Sequence, residues 1–266
     1  MTVQELQKYG QQTLQNISTA RLDTLVLLED ATDKDRAWLL AHPEHSLTPS
    51  QTKKFQAWVK RRVVHEPLAY IRGKTEFYGR EFMVNARTLE PRPESETMIE
   101  LFKSLDLPPE AVAADVGSGS GAIGITAALE RPGIQINFLD IDPDTLAIAR
   151  SNARKHGVRG QYYQGDLLEA WPIEYDVLLC NLPYVPDNFK INEAAMFEPK
   201  IAIFGGEDGL DLYRRLFAQL ATEKFGHPII LTESLPYQHD ILAAVAHTHG
   251  YQFKQQDDFI QIFYND

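Results

Sequence analysis

Two periodicities divide the chain. Up to about residue 65, apolar residues recur three and four apart. They do so in VQELQKYGQQTL from Val3, ARLDTLVLLEDA from Ala20 and LTPSQTKKFQAWVKRRV from Leu47. That spacing lines one face of a helix and predicts a unit of three or four helices. The last stretch carries its own start signal: Thr48 as N-cap, Pro49 at the first helical position and Gln51 to complete a capping box.

From about residue 96 short apolar runs alternate with helical stretches. AVAADV, IQINFLDI, GQYYQGD, YDVLLCN, PIILTES and the terminal DDFIQIFY read as strands. ETMIELFKSL, GAIGITAALE, PDTLAIARSNARKHG (stopped by Gly157), GLDLYRRLFAQLATEKF and QHDILAAVAHTHG read as helices. Such alternation predicts an α/β unit with a mostly parallel sheet and helices on both faces, with ligands bound beyond the carboxyl ends of the strands. Between the two regions, turns at Gly73 and Gly79 precede a β-leaning stretch that ends at Pro91 and Pro93. The expected division is a helical domain over 1–75, a connector over 76–95 and the α/β domain over 96–266.

Charge follows the same division. Residues 1–80 hold 12 Lys/Arg against 9 Asp/Glu, whereas 81–266 hold 14 against 28. So acidic a surface disfavours broad contact with a phosphate backbone. The basic cluster Lys53, Lys54, Lys60, Arg61 and Arg62 reads as a solvated helix face. A single cysteine, Cys180, excludes a disulfide framework and a thiolate metal cluster, and with no signal-peptide core or membrane-length apolar run it points to the cytoplasm. His247 and His249 lack a third ligand nearby, so no metal is expected.

The chemistry is concentrated at strand ends. DVGSGSGAIG, from Asp115 to Gly124, follows the first strand of the α/β region and opens a helix. Gly117, Gly119 and Gly121 allow close backbone approach to a ligand, with Ser118 and Ser120 between them, and the helix start offers free N–H groups. This loop with Asp140 at the next strand end also satisfies a dinucleotide fingerprint, so a nicotinamide cofactor stays open on these features alone. Asp115 shifts the balance, because a carboxylate beside the loop repels pyrophosphate and suits an ammonium group. The third strand ends in GDLL, where Asp166 and the Leu167 backbone can address an adenine, and the fourth runs into Asn181-Leu182-Pro183-Tyr184. In this order the motifs describe a site for S-adenosylmethionine.

EPLAYIRGKTEFYG, LEPRPESE, DVGSGSGAIGI, LDIDPDTLAIARSNARKHG, GDLL, NLPY and EPKIAIFGGEDGLDLYRRL together resemble the class I methyltransferases that modify a glutamine of bacterial peptide-chain release factors. The resemblance covers Glu66 to about Leu216 and implies a seven-stranded, Rossmann-like class I methyltransferase domain preceded by a small all-helical domain that recognises the substrate protein. It implies a release factor as partner and Arg92 of PRPESE near the cofactor.

Members of that family generally carry proline where this chain has Leu182. The expected role of the tetrapeptide is to grip an NH₂ group with two acceptors, the Asn181 side-chain oxygen and the backbone carbonyl of residue 182, with Tyr184 stacked on the flat group. Leucine keeps the carbonyl, and Pro183 still holds residue 182 extended; what changes is a freed φ and a gained N–H. NLPY also resembles the ribosomal RNA adenine dimethyltransferases, which leaves RNA adenine methylation as an alternative. A cofactor-binding assembly factor without turnover is another. Glu233 and Gln238, after the fifth strand, are expected at the pocket rim, and Cys180 is expected to be a buried apolar residue.

Overall fold

The computed structural model describes residues 1–169, 174–222 and 226–265, which form two compact units. The smaller comprises Met1–Gly73 with Asn192–Phe197, the larger Lys74–Ile191 with Glu198–Asp266.

The small unit holds helices α1 (Val3–Thr13), α2 (Ala20–Thr32), α3 (Arg36–Ala41), α4 (Pro49–Arg62) and α5 (Leu68–Arg72). These exceed the expected three or four because α3 and α5 are too short for a periodic pattern to register. Leu6, Leu14, Leu27, Leu39, Phe55 and Val59 meet in its core. The capping box on α4 forms: Thr48 Oγ1 accepts from Gln51 N at 3.2 Å, and Thr48 N donates to Gln51 Oε1 at 3.0 Å. The basic cluster is partly consumed by folding, since Arg62 pairs with buried Asp23 at 2.7 Å and Arg61 pairs with Glu66.

The large unit opens with a hairpin, β1 (Lys74–Phe77) and β2 (Arg80–Met83), and continues through α6 (Glu96–Ser104). Next come β3 (Val112–Val116), α7 (Ala122–Glu130), β4 (Gln135–Asp140), α8 (Pro143–His156), β5 (Gly160–Gln164) and β6 (Val177–Cys180). The chain ends with α9 (Asp211–Leu220), β7 (Ile229–Glu233), α10 (His239–Thr248), β8 (Tyr251–Asp257) and β9 (Ile260–Asn265). Residues 223–225 of the predicted α9 stretch lie outside the described residues.

Strands β3 to β9 form a seven-stranded sheet in the order β5-β4-β3-β6-β7-β9-β8, parallel except for antiparallel β9. One face packs on a cluster that includes Phe102, Ile125 and Phe138, the other on one that includes Leu216, Phe217 and Leu242. Helices therefore cover both faces, which is why β6 is apolar throughout. β8 escaped the sequence pattern because it is polar and almost wholly exposed. An edge strand needs few apolar residues, and a bulge between Phe253 and Gln255 with Lys254 blunts it.

The strand order reverses between β3 and β6, and a ligand crevice belongs at such a switch point. Register finishes the placement: Val116 at the end of β3 faces Cys180 at the end of β6, so the glycine loop and the tetrapeptide leave the sheet side by side. No helix among the described residues is long and apolar enough to cross a membrane.

Candidate active site

A cavity of about 400 Å³ opens at that switch point. Gly117, Ser118, Gly119, Ser120, Asp140, Asp166, Leu167, Asn181, Leu182 and Pro183 all line it. Asp115, Gly121 and Tyr184, the remaining predicted site residues, do not.

The glycine loop is shaped by β4. Gly117 N and Ser118 N both donate to the Leu139 carbonyl, at 2.8 and 2.9 Å, and Gly119 N donates to Asp140 Oδ2 at 3.0 Å. Asp140 also accepts from Asp142 N at 3.0 Å, and burial raises its pKa despite these donors. Gly121 caps α7 with φ of +78°, a conformation only glycine takes freely. The Ser118 hydroxyl is buried in the cavity wall without a protein partner, a polar group left for a ligand.

Asp115 lies one layer behind the loop. Its Oδ2 accepts from Gly124 N at 2.9 Å, and a Cβ on Gly124 would stand 2.8 Å from the Asp115 Cβ. Burial, with Asp140 adding to it, pushes the Asp115 carboxyl up to about 8 against the Gly124 N–H. It is therefore mostly neutral near pH 7 and reaches the cavity through the loop it supports.

On the tetrapeptide side, Asn181 Nδ2 donates to Ser95 Oγ at 2.9 Å. The Ser95 hydroxyl is among the groups that hold down the pKa of Glu233, which burial raises. With its nitrogen on Ser95 Oγ, the Asn181 amide leaves Oδ1 for the cavity. Among the described residues neither Asn181 Oδ1 nor the Leu182 carbonyl accepts a hydrogen bond, and the same is true of the flanking Asn181 and Pro183 carbonyls, whereas those further along are engaged. Tyr184 O accepts from Gln238 Nε2 at 2.8 Å, and Val185 O accepts from Gly205 N at 2.9 Å.

Tyr184 itself turns away. Its hydroxyl donates to Glu233 Oε1 at 2.9 Å, and burial beside that carboxyl pushes the phenol pKa up. Glu233 and Gln238, expected at the rim, are both buried behind the tetrapeptide and support it. Cys180 is fully buried, and burial raises its thiol pKa well above the ordinary value. Arg92 pairs at 2.5 Å with the buried Glu198, fastening the connector to the segment that supplies cavity residues Pro199 and Ile201.

Sequence reasoning missed Ser95 and Arg215. Ser95 sits inside the quoted PRPESE, but nothing local marks its long-range bond to Asn181. Arg215 of α9 lines the cavity and pairs with Asp166, the carboxylate expected at an adenine.

A seven-stranded sheet of this order, with a glycine loop after β3 and a polar tetrapeptide after β6, defines a class I methyltransferase. A methyltransferase from Pyrococcus furiosus shares the fold at a TM-score of 0.53 and 16% identity, over 71% of this chain and 90% of that one. Residues 5–73 match the PrmC N-terminal domain, and residues 95–197 match the methyltransferase small domain. The release factor glutamine methyltransferase of Coxiella burnetii is 38% identical over 79% of this chain and 77% of that protein. The enzyme of that name from Xylella fastidiosa is 40% identical over 74% of each. The chain belongs to the release factor glutamine methyltransferase family.

Proposed function

We propose that this enzyme methylates the side-chain amide nitrogen of a glutamine in a peptide chain release factor, in the cytoplasm, with S-adenosylmethionine as donor. The observation that carries the reading is the pair of acceptors, Asn181 Oδ1 and the Leu182 carbonyl, left without partners beside the cavity. A primary amide offers two N–H donors, and its nitrogen is a poor nucleophile while its lone pair is delocalised. Two fixed acceptors would hold those hydrogens and aim the nitrogen at the methyl carbon.

The cavity residues fit the donor. The unpartnered Ser118 hydroxyl and the loop around Gly117, Gly119 and Gly121 would take its amino-acid end, with Ser120 and the buried Asp115 shaping that loop. Asp140 would take the ribose, and Asp166 with the Leu167 backbone the adenine; Arg215 would have to share Asp166. When bound, the donor would supply an electrophilic sulfonium methyl to the amide nitrogen, its sulfur keeping the C–S electron pair and the displaced amide proton passing to water. Ser95 fixes the Asn181 amide, and Pro183 keeps residue 182 extended. The helical domain over 1–75, with its slight excess of positive charge, would contact the release factor.

Methyl-labelled S-adenosylmethionine tests the reading when it is offered with a release factor or with ribosomal RNA. Label in the release factor, at glutamine, is expected. Label confined to RNA would overturn the reading in favour of an adenine methyltransferase. Cofactor binding with label in neither would leave a non-catalytic binding protein.

A further inference from the structure

The N–H that Leu182 has and proline would lack is not idle. Tyr213, wholly buried on α9, places its hydroxyl 3.3 Å from Leu182 N and 3.2 Å from Glu233 N. The same oxygen lies 2.6 Å from the Glu233 carbonyl and 2.9 Å from the Cys180 carbonyl. A phenol hydroxyl has one proton and two lone pairs. The lone pairs take the two N–H groups, and the proton serves the carbonyls, that of Glu233 being nearer. One saturated hydroxyl thus ties the exit of β6 to the end of β7.

The other end of the Leu182 N–Cα bond is held as well. The leucine side chain is 2% exposed, and its Cδ2 lies 3.1 Å from where a Cβ on Gly117 would stand. The leucine therefore lies against the glycine loop where that loop is bare. With its N–H held by Tyr213 and its side chain held by the loop, residue 182 cannot turn freely about φ, and Pro183 restricts its ψ. These contacts do the work of a proline ring at position 182.

We propose that Tyr213 is a positioning residue for methyl transfer in this protein: through the Leu182 N–H it sets the direction of the Leu182 carbonyl. This rests on the glutamine-methylation reading, in which that carbonyl is half of the grip on the substrate amide. Tyr213 touches neither substrate nor donor, so its contribution falls on kcat and leaves the KM for S-adenosylmethionine within about twofold.

A double-mutant cycle with Tyr213→Phe and Leu182→Pro tests it, with release-factor methylation as readout. Tyr213→Phe should lower kcat about tenfold, because it leaves the Leu182 N–H without its acceptor. Leu182→Pro takes away the N–H that Tyr213 holds, and whatever kcat it shows serves as the second background of the cycle. Adding Tyr213→Phe to Leu182→Pro should then cost less than about twofold, because the shared bond is already gone. A tenfold loss in both backgrounds would overturn the proposal, as would a Tyr213→Phe effect confined to KM. Should Tyr213→Phe fail to fold, hydrogen exchange at the Leu182 amide of the unmodified protein decides instead. Protection is expected, and exchange at the rate of an open loop overturns it. The unmodified enzyme is assayed first: if it labels no release factor, the function assignment fails, whereas equal losses with an active parent sink only the Tyr213 role.

Discussion

Asn181 and Ser95 stand 86 residues apart in the chain, yet the amide of one donates to the hydroxyl of the other across 2.9 Å. That bond selects which end of the Asn181 amide meets the cavity. Replacing Ser95 with alanine releases the amide to rotate while leaving it present. Ser95→Ala should lower kcat about tenfold with little change in S-adenosylmethionine affinity, in line with the loss of one orienting hydrogen bond. Steady-state methylation combined with calorimetric titration of the cofactor separates the two quantities, and an unaltered kcat would show that Asn181 needs no such support.

Asn181→Ala removes an acceptor outright. The expected loss is about a hundredfold to a thousandfold in kcat, the range for removing one preorganised polar group from a transition state. Binding of S-adenosylmethionine should persist within a few-fold. Near-normal turnover would take Asn181 out of the chemistry.

Gly209 lies where a β-carbon cannot fit. Its φ is +84°, and an added Cβ would overlap the Tyr184 carbonyl oxygen and crowd Gln238 Nε2. Gly209→Ala should therefore push the FGGEDG loop off the tetrapeptide and cost about 1–3 kcal/mol of stability. Methylation should fall with it. Thermal melts reveal the cost, and an unchanged Tm would mean the loop moves freely.

The buried Asp115 predicts a pH dependence. Its carboxyl stands at about 8 in the folded protein, against about 4 in an unfolded chain. Between those values the native state keeps a proton that the unfolded state has lost, so stability falls as pH rises. The contribution is full below about pH 4 and is lost as pH rises through about 8. Asp115→Asn keeps an acceptor for Gly124 N–H and has no charge to bury. Its Tm relative to the parent, measured by calorimetry without cofactor, should climb between about pH 5 and about pH 8. A constant difference across that range would contradict the raised pKa.

Arg92 is half of an ion pair whose other half is sealed. Glu198 is 4% exposed, and burial raises its pKa against the pull of Arg92. Arg92→Ala leaves that carboxyl without its counter-charge and should cost about 3 kcal/mol, less where Glu198 takes up a proton. Denaturant melts near neutral and mildly acidic pH would show a penalty that shrinks as the acid protonates Glu198. A penalty independent of pH would point to lost packing instead.

Much of this molecule was written in local chemistry. Alternating apolar runs and helical stretches announce the α/β unit. Thr48 and Gln51 mark the start of α4, and Gly157 marks the end of α8, because caps and left-handed turns depend on a few adjacent residues. Glycine spacing after β3 and NLPY after β6 likewise pointed to the cavity, since a tight backbone approach needs glycine and a fixed carbonyl needs proline. Tertiary structure decided what those residues touch. β8 has no apolar signature, because a sheet edge buries little, and only pairing with β9 makes it a strand. Asp115, read as a carboxylate facing the ligand, is drawn beneath α7 by the Gly124 N–H, and Tyr184 is drawn back onto Glu233. Ser95 and Tyr213 gain their roles from partners far along the chain. A hydrogen bond between distant residues depends on how helices and strands dock, and no local pattern of apolar and polar positions encodes that.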